Sequence, residues 1–420
     1  MSLFFLLNVV RVFSNPEHYQ WDFSVYYLAS RDFNNGLNPY AKEYVPSKSD
    51  GPVKWVYAYP PYTLYLFQFL TVLDFKTAYR VYLIVKILLF IGLLLLWQKI
   101  FLLKSAWEFI FFTFCLFSFY ACALIDFYCG NISILEQFFL WFAFYFFLQS
   151  RYLLFSIFIF AAAFFKGLPI LFLSLLFYAK IPDYRMKIFH FLLTPCLFLS
   201  IVGISYQQNP TLYKNFTKNI SRVSQESGVI EPSSLQFFKS IDSRLCPGSV
   251  TVLPFFLYGI FACAVLFCSL YSLHKFLMLN KEGTEKVIIM LSCFTFALCA
   301  PRFKDYSYIL LILPAYYLLL TTNFFDWKIM LFFLIPRSDF SYLIFLIPCY
   351  FLIPTDRGFD GRFLLFFLVL IAHQWKIPAL SGFVTFFFSF YPFFLSLFLW
   401  VYFIYRLEKL DKTLIILQEH

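Results

Sequence analysis

Between residues 78 and 206 the chain is a succession of apolar runs of 13 to 21 residues, separated by links of at most seven residues. A soluble domain shows apolar residues on one face only, at a period near 2 or 3.6. Here the runs are apolar all round, which in water has no stable solution. In lipid it does, because a helix satisfies every backbone group internally. Further runs follow at 249–272, 287–300, 307–322, 340–354, 362–374 and 380–405, while 3–13, 62–73 and 329–335 are apolar but too short to span alone. The composition agrees: 61% of residues are hydrophobic and 13% charged, against about 45–50% and about 25% in soluble domains. A cytosolic enzyme, a disordered chain and a secreted scaffold are excluded. The expected fold is an all-α polytopic membrane protein with roughly 12 to 14 transmembrane helices.

The net charge of +10 is a topology signal rather than a nucleic-acid signal. Cations concentrate on the cytoplasmic side of a membrane protein. Placing Lys99/Lys104, Arg151, Lys180/Arg185/Lys187, 274–286 and 406–412 in the cytoplasm makes the spans alternate only if 62–73 does not cross. Two polar loops, 14–61 and 207–248, then share the outer side, and 14–61 is expected to hold interfacial helices. Residues 1–320 form the expected membrane module, and 321–420 the C-terminal spans with a cytoplasmic tail. Segment 3–13 reads as a shortened span, and Met1–Phe13 lacks the basic start and cleavage site of a signal peptide. Most of the ten cysteines lie in apolar runs, and neither CxxC nor HExxH occurs, so no metal site is expected.

Five places carry polar groups at or near membrane depth, where such groups mark function. Asp22 opens an amphipathic pattern (Trp21, Val25 and Leu28 against Asp22, Arg31 and Asn35) that Gly36, Asn38 and Pro39 end; it is a solvated carboxylate or a base facing an outer cavity. Residues 56–62, VYAYPPY, form a rigid corner from which Tyr59 can reach a substrate. Lys166, followed by Gly167 and Pro169, marks a helix break; it snorkels to the interface or holds an anion beside a helix N-terminus. Asn131, after Asp126 and Gly130, caps a helix or faces the outer cavity, and Glu136 and Gln137 within the next span require a polar partner. Residues 301–306, PRFKDY, put Arg302 and Lys304 on an outer link, against the positive-inside trend, as phosphate ligands.

The segments DFSVYYLASRDFNNGLNPY and YAYPPYTLYLFQFL resemble the start of glycosyltransferase family 87, whose pattern runs D-F-x-x-Y-Y-x-A, G-x-x-P-Y, Y-P-P. The resemblance continues through Gly130-Asn131, AAAFFKGLP with Lys166 and Pro169, PSSLQFFKSIDSRL with Ser234, Leu235 and Arg244, and APRFKDYSY with Pro301, so that it covers about residues 15–320. The chain departs from the family pattern at Pro232-Ser233, where Asn-Gln is usual, and near Asp305-Tyr306, where His-His is usual.

The resemblance implies a glycosyltransferase-C-type fold and an inverting transferase. It would move mannose or a similar sugar from a polyprenyl phosphate to a lipid or glycan hydroxyl on the extracytoplasmic face. Asp22 is the implied catalytic base. Lys166, Arg302, Lys304 and Arg244 are the candidates for the donor phosphate. Tyr26, Tyr27, Arg31, Asn38, Tyr59, Asn131 and Ser234 are the candidates for the sugar and acceptor pocket. No cofactor is expected, the lipid-linked sugar being a co-substrate, and the expected setting is a bacterial inner membrane with no nucleic-acid partner. Two other readings are a lipid-linked glycan flippase, which would show paired broken helices in two matching halves, and a surface-polysaccharide polymerase or ligase, with its chemistry in loop 207–248.

Overall fold

A computed structural model describes residues 2–16, 18–44, 55–102, 108–179, 184–223, 230–246, 252–278, 283–321 and 386–409. The expected runs at 329–335, 340–354 and 362–374, and the 321–420 region apart from 321 and 386–409, lie outside the described residues. Among the described residues the structure is helical, with one isolated antiparallel bridge between Tyr44 and Trp55. Phe75–Phe101, Phe111–Cys129, Tyr184–Gln208 and Leu253–Leu277 are long and apolar enough to cross a bilayer. The chain is an all-α polytopic membrane protein. Large apolar side chains such as Leu192, Leu199, Phe256 and Phe267 face outward, as lipid-facing surface does.

The chain forms two compact units. The first comprises Met1–Glu108, Ala123–Gln225 and Glu282–Met290. It holds α1 (Ser2–Ser14), α2 (Trp21–Asn34), α3 (Thr63–Gln68) and α4 (Phe75–Leu96). It also holds the end of α5 (Glu108–Cys129), α6 (Ser133–Leu148), α7 (Tyr152–Lys166), α8 (Tyr184–Gln208), α9 (Pro210–Val223) and the first half of α12 (Thr284–Cys299). The short segment 62–73 folds as α3 followed by a 3-10 turn at Phe69–Val72, ten residues that reach about 15–17 Å and so fall short of a crossing. Asp74 then caps α4, its carboxylate accepting the Thr77 N–H at 3.1 Å. α6 packs on α7 and on α4, and α7 packs on α8.

Helix α7 ends where the KGLP sequence says it should. Gly167 takes φ 73° and donates to the Ala163 carbonyl at 2.7 Å, a conformation open to glycine and unfavourable to other residues. Pro169 then lies in the first turn of the next element, where its missing N–H costs nothing. That element, Leu168–Tyr178, is a 3-10 helix of 11 residues.

The second unit comprises Phe109–Cys122, Glu226–Lys281 and Leu291–His420. It contains α10 (Ser234–Leu245), α11 (Leu253–Leu277), α13 (Ile309–Thr321), α14 (Tyr391–Lys409) and the later half of α12 (Thr284–Cys299). Ser269 of α11 accepts from Thr295 of α12 at 2.7 Å and from the Trp400 indole of α14 at 2.9 Å. One hydroxyl thus ties three apolar helices, the usual use of a small polar residue in lipid. Helix α5 is interrupted within this unit: Phe119, Tyr120 and Ala121 all have positive φ.

Candidate active site

The site grows from the start of α2. Gln20, with φ 54°, donates its N–H to the Tyr128 carbonyl at 2.5 Å. Gly130 meets it from the other side. Its φ is +71°, and a Cβ there would sit 2.7 Å from the Gln20 Cβ and 3.0 Å from its Cα. Only glycine permits this approach. The contact seats the first turn of α2, which carries Asp22, against the link between α5 and α6.

The half-buried Asp22 carboxylate accepts a hydrogen bond from the Asn131 amide, Nδ2 to Oδ2, at 2.7 Å. The same Nδ2 lies 3.1 Å from the Tyr26 hydroxyl and 3.3 Å from that of Tyr59. Tyr26 donates to Tyr59 at 2.9 Å. Burial first, and then the negative charge of Asp22, pushes the Tyr59 phenol above its ordinary pKa, so Tyr59 stays a neutral hydroxyl.

A second layer fixes which way Asn131 points. Lys166 donates its ammonium to the Ser133 hydroxyl at 2.7 Å, and that hydroxyl donates to Asn131 Oδ1 at 2.9 Å. The Ser133 N–H donates to the same oxygen at 3.2 Å. With its oxygen so engaged, the amide must turn its NH2 toward Asp22, the arrangement that suits an ionised carboxylate. Asn131 therefore both caps the start of α6 and serves the site. Lys166 pairs with Glu136 at 2.9 Å, the polar partner that Glu136 requires within a span.

Behind the link lies a group absent from the candidate list. Lys86 of α4 and Asp126 of α5 form an ion pair at 2.6 Å. The signal was in the sequence: one lysine stands in the middle of the apolar run 78–98, and an ionisable residue at that depth requires a partner.

Tyr40 and Tyr57 brace the chain around Tyr59. Tyr40 donates its hydroxyl to the Tyr59 carbonyl at 2.6 Å, and Tyr57 shares a 2.6 Å hydrogen bond with Thr63 after the Pro60-Pro61 corner. Asn219 of α9, buried, donates to the carbonyls of Tyr40 and Tyr57 at 3.2 Å each. That amide is spent on the backbone.

Other candidates take different positions. Tyr27 donates its hydroxyl to the Leu73 carbonyl at 2.8 Å, bracing α2 on the end of the 3-10 turn that follows α3. Arg31 is exposed, its guanidinium 5.9 Å from the Tyr27 ring centre. Asn38 accepts the Tyr40 N–H at 3.0 Å in a local turn. The remaining four belong to the second unit. Ser234 is fully buried and donates to the Leu298 carbonyl at 2.9 Å. Arg302 pairs with the buried Glu231 at 3.3 Å. The Lys304 ammonium lies 5.9 Å from the Tyr306 ring centre, and the exposed Arg244 lies over Phe386 at 4.3 Å. Asp22, Tyr26, Tyr59, Asn131 and Lys166 are thus the candidates that the first unit brings into one hydrogen-bonded network. Among the described residues, no group of three or more His, Cys, Asp or Glu side chains is placed to hold a metal ion.

No curated protein and no solved structure matches the chain. The family model of glycosyltransferase family 87 matches residues 57–301, a stretch that takes in Tyr59, Asn131, Lys166, Ser234 and Arg244 and begins after Asp22. More than half of the chain lies within the match, and the polytopic helical architecture fits it: this protein belongs to glycosyltransferase family 87 and is a membrane glycosyltransferase.

Proposed function

We propose that the Asp22 network is the catalytic centre of a glycosyltransferase-C-type enzyme that moves a sugar from a polyprenyl phosphate to a lipid or glycan hydroxyl. The observation that carries this reading is the directed amide. Asn131, held by Ser133 and Lys166, presents its NH2 to the Asp22 carboxylate, keeping one oxygen in place while the group acts as a base.

In this reading Asp22 takes the proton of the acceptor hydroxyl. The acceptor oxygen attacks the anomeric carbon from the face opposite the phosphate, and the carbon–oxygen bond to the phosphate breaks, with inversion. The donor is a phosphodiester with one negative charge, whereas the departing polyprenyl phosphate is a monoester that gains a second. That added charge develops in the transition state, and the Lys166 ammonium suits it as a nearby cation. Arg302, Lys304 and Arg244 are proposed as donor-phosphate ligands on residue type alone. Tyr26 and Tyr59 supply hydroxyls for the sugar.

The test is direct transfer. Purified protein in lipid vesicles is given radiolabelled polyprenyl-phosphate mannose or arabinose with lipid and glycan acceptors. Sugar transfer that Asp22→Asn removes is the expected result. No transfer from either donor would refute the donor class, and transfer unaffected by Asp22→Asn would refute the mechanism. Lys166→Ala in the same assay is expected to raise the donor KM about tenfold with a smaller effect on the acceptor KM. A donor KM that stays put would remove Lys166 from the phosphate site.

The membrane orientation belongs to the same proposal: a bacterial inner membrane with the site facing outward, supported by the charge distribution. Asn35 and Ser243 are exposed positions in the two polar loops. In a chain whose native cysteines have been replaced, Asn35→Cys and Ser243→Cys are expected to react with a membrane-impermeant maleimide from the outer side of intact cells. Labelling of the two from opposite sides would overturn the topology.

A further inference from the structure

We propose that Lys86 and Asp126 are a positioning pair that holds Asn131, and through it the Asp22 carboxylate, in register for transfer. The inference rests on the reading of Asp22 as the base, and it assigns a role to two residues outside the network that touches Asp22.

Both side chains are fully buried. Lys86 Nζ pairs with Asp126 Oδ2 at 2.6 Å and donates to the Asp126 carbonyl at 2.6 Å and the Asn131 carbonyl at 2.8 Å. The two carbonyls mark the ends of the 126–131 link. One cation therefore closes that link into a loop and fixes its length. Tyr82 adds a hydroxyl to the Asn131 carbonyl at 3.2 Å, and the Tyr82 and Phe127 rings lie 5.7 and 5.6 Å from the ammonium. Asn131 is thus gripped at its backbone by α4 and at its side chain by Ser133, while its NH2 faces Asp22.

Stability alone is a poor account of this pair. Buried ion pairs recover their desolvation cost only with good geometry, and apolar replacements of both partners are often neutral or stabilising. An apolar pair would fill the space between α4 and α5 equally well. It would not donate to the Asn131 carbonyl. That hydrogen bond leads to the site and separates positioning from mere packing.

Two double variants separate the roles. Lys86→Met with Asp126→Leu keeps the volume and removes the donor. Lys86→Gln with Asp126→Asn removes both charges but keeps an amide that can donate to Asn131. In vesicles given radiolabelled polyprenyl-phosphate mannose or arabinose, the Met/Leu chain is expected to lose at least about tenfold in kcat with its donor KM within about twofold of wild type. The Gln/Asn chain is expected to keep most of the rate. A Met/Leu chain with wild-type kcat, or a Gln/Asn chain that falls as far as it, overturns the proposal. If the Met/Leu chain does not reach the membrane, Tyr82→Phe carries the test. It removes only a hydroxyl and is expected to lower kcat about threefold at unchanged donor KM; an unchanged kcat overturns the proposal.

Asp22→Asn runs beside these. If it leaves transfer intact, the catalytic reading fails, and backbone hydrogen exchange over residues 20–26 judges the pair independently of any substrate. Faster exchange there in the Met/Leu chain supports positioning, and unchanged exchange overturns it. If Asp22→Asn abolishes transfer while the Met/Leu chain is fully active, only the positioning role falls.

Discussion

Asp22→Asn is expected to lower the rate of sugar transfer by about 10³-fold or more, within the range that removal of a positioned general base produces, while the protein still folds and inserts. The substitution changes one atom and no volume. The Asn side-chain oxygen can still accept from the Asn131 amide, so the contact at 2.7 Å survives in neutral form. What is lost is the negative charge that receives the acceptor's proton. Initial rates at saturating donor measure the effect, and thermal unfolding in detergent checks the fold, with a shift of no more than a few degrees expected. A variant that transfers sugar within about twofold of wild type would move the base elsewhere. A variant that fails to fold would instead assign Asp22 a structural role.

Gly130→Ala is the second large effect, and it acts on backbone rather than on charge. Its φ of +71° is costly for any residue with a Cβ. The new methyl would lie 2.7 Å from the Gln20 Cβ and 3.0 Å from its Cα, so backbone and not only a flexible tip must move. Left-handed strain and overpacking together are expected to cost about 3 kcal/mol of stability. The displacement falls between Gln20 and Gly130, the two residues that bring Asp22 and Asn131 together. A shift of about 1 Å there is expected to lower kcat by about 10²-fold, more than the fraction of unfolded protein explains. Thermal unfolding and initial rates on the same preparation check both parts. Wild-type rate with reduced stability would show that this contact supports the fold and not the site.

The fold class was readable because lipid leaves so few choices: an apolar run without polar alternation has to be a helix. The breaks were readable too, since Gly167 and Pro169 stop α7 where the sequence places them. Asp22, Tyr59, Asn131 and Lys166 were readable as polar groups at or near membrane depth. Their connection was not. Ser133 is an ordinary residue at the head of an apolar helix, and nothing in its neighbours says that it joins Lys166 to Asn131. Lys86 shows a different failure. Averaged over its run it vanishes, although its position alone demanded a partner, and Asp126 stood in a link already marked as functional. Tyr27 and Asn38 show the converse: both lie in motif segments, yet Tyr27 bonds the distant Leu73 carbonyl and Asn38 the nearby Tyr40 N–H.

The 3-10 segment Leu168–Tyr178 changes how depth in the membrane relates to chain length. An α-helix of 11 residues would reach only about 16 Å, half of a hydrocarbon core. At about 2.0 Å per residue the same stretch extends about 22 Å, nearly as far as the 16-residue α6 at about 24 Å. Thinning the helix lets a run too short by ordinary counting keep pace with its neighbours. A window tuned to 1.5 Å per residue measures composition correctly there and distance wrongly.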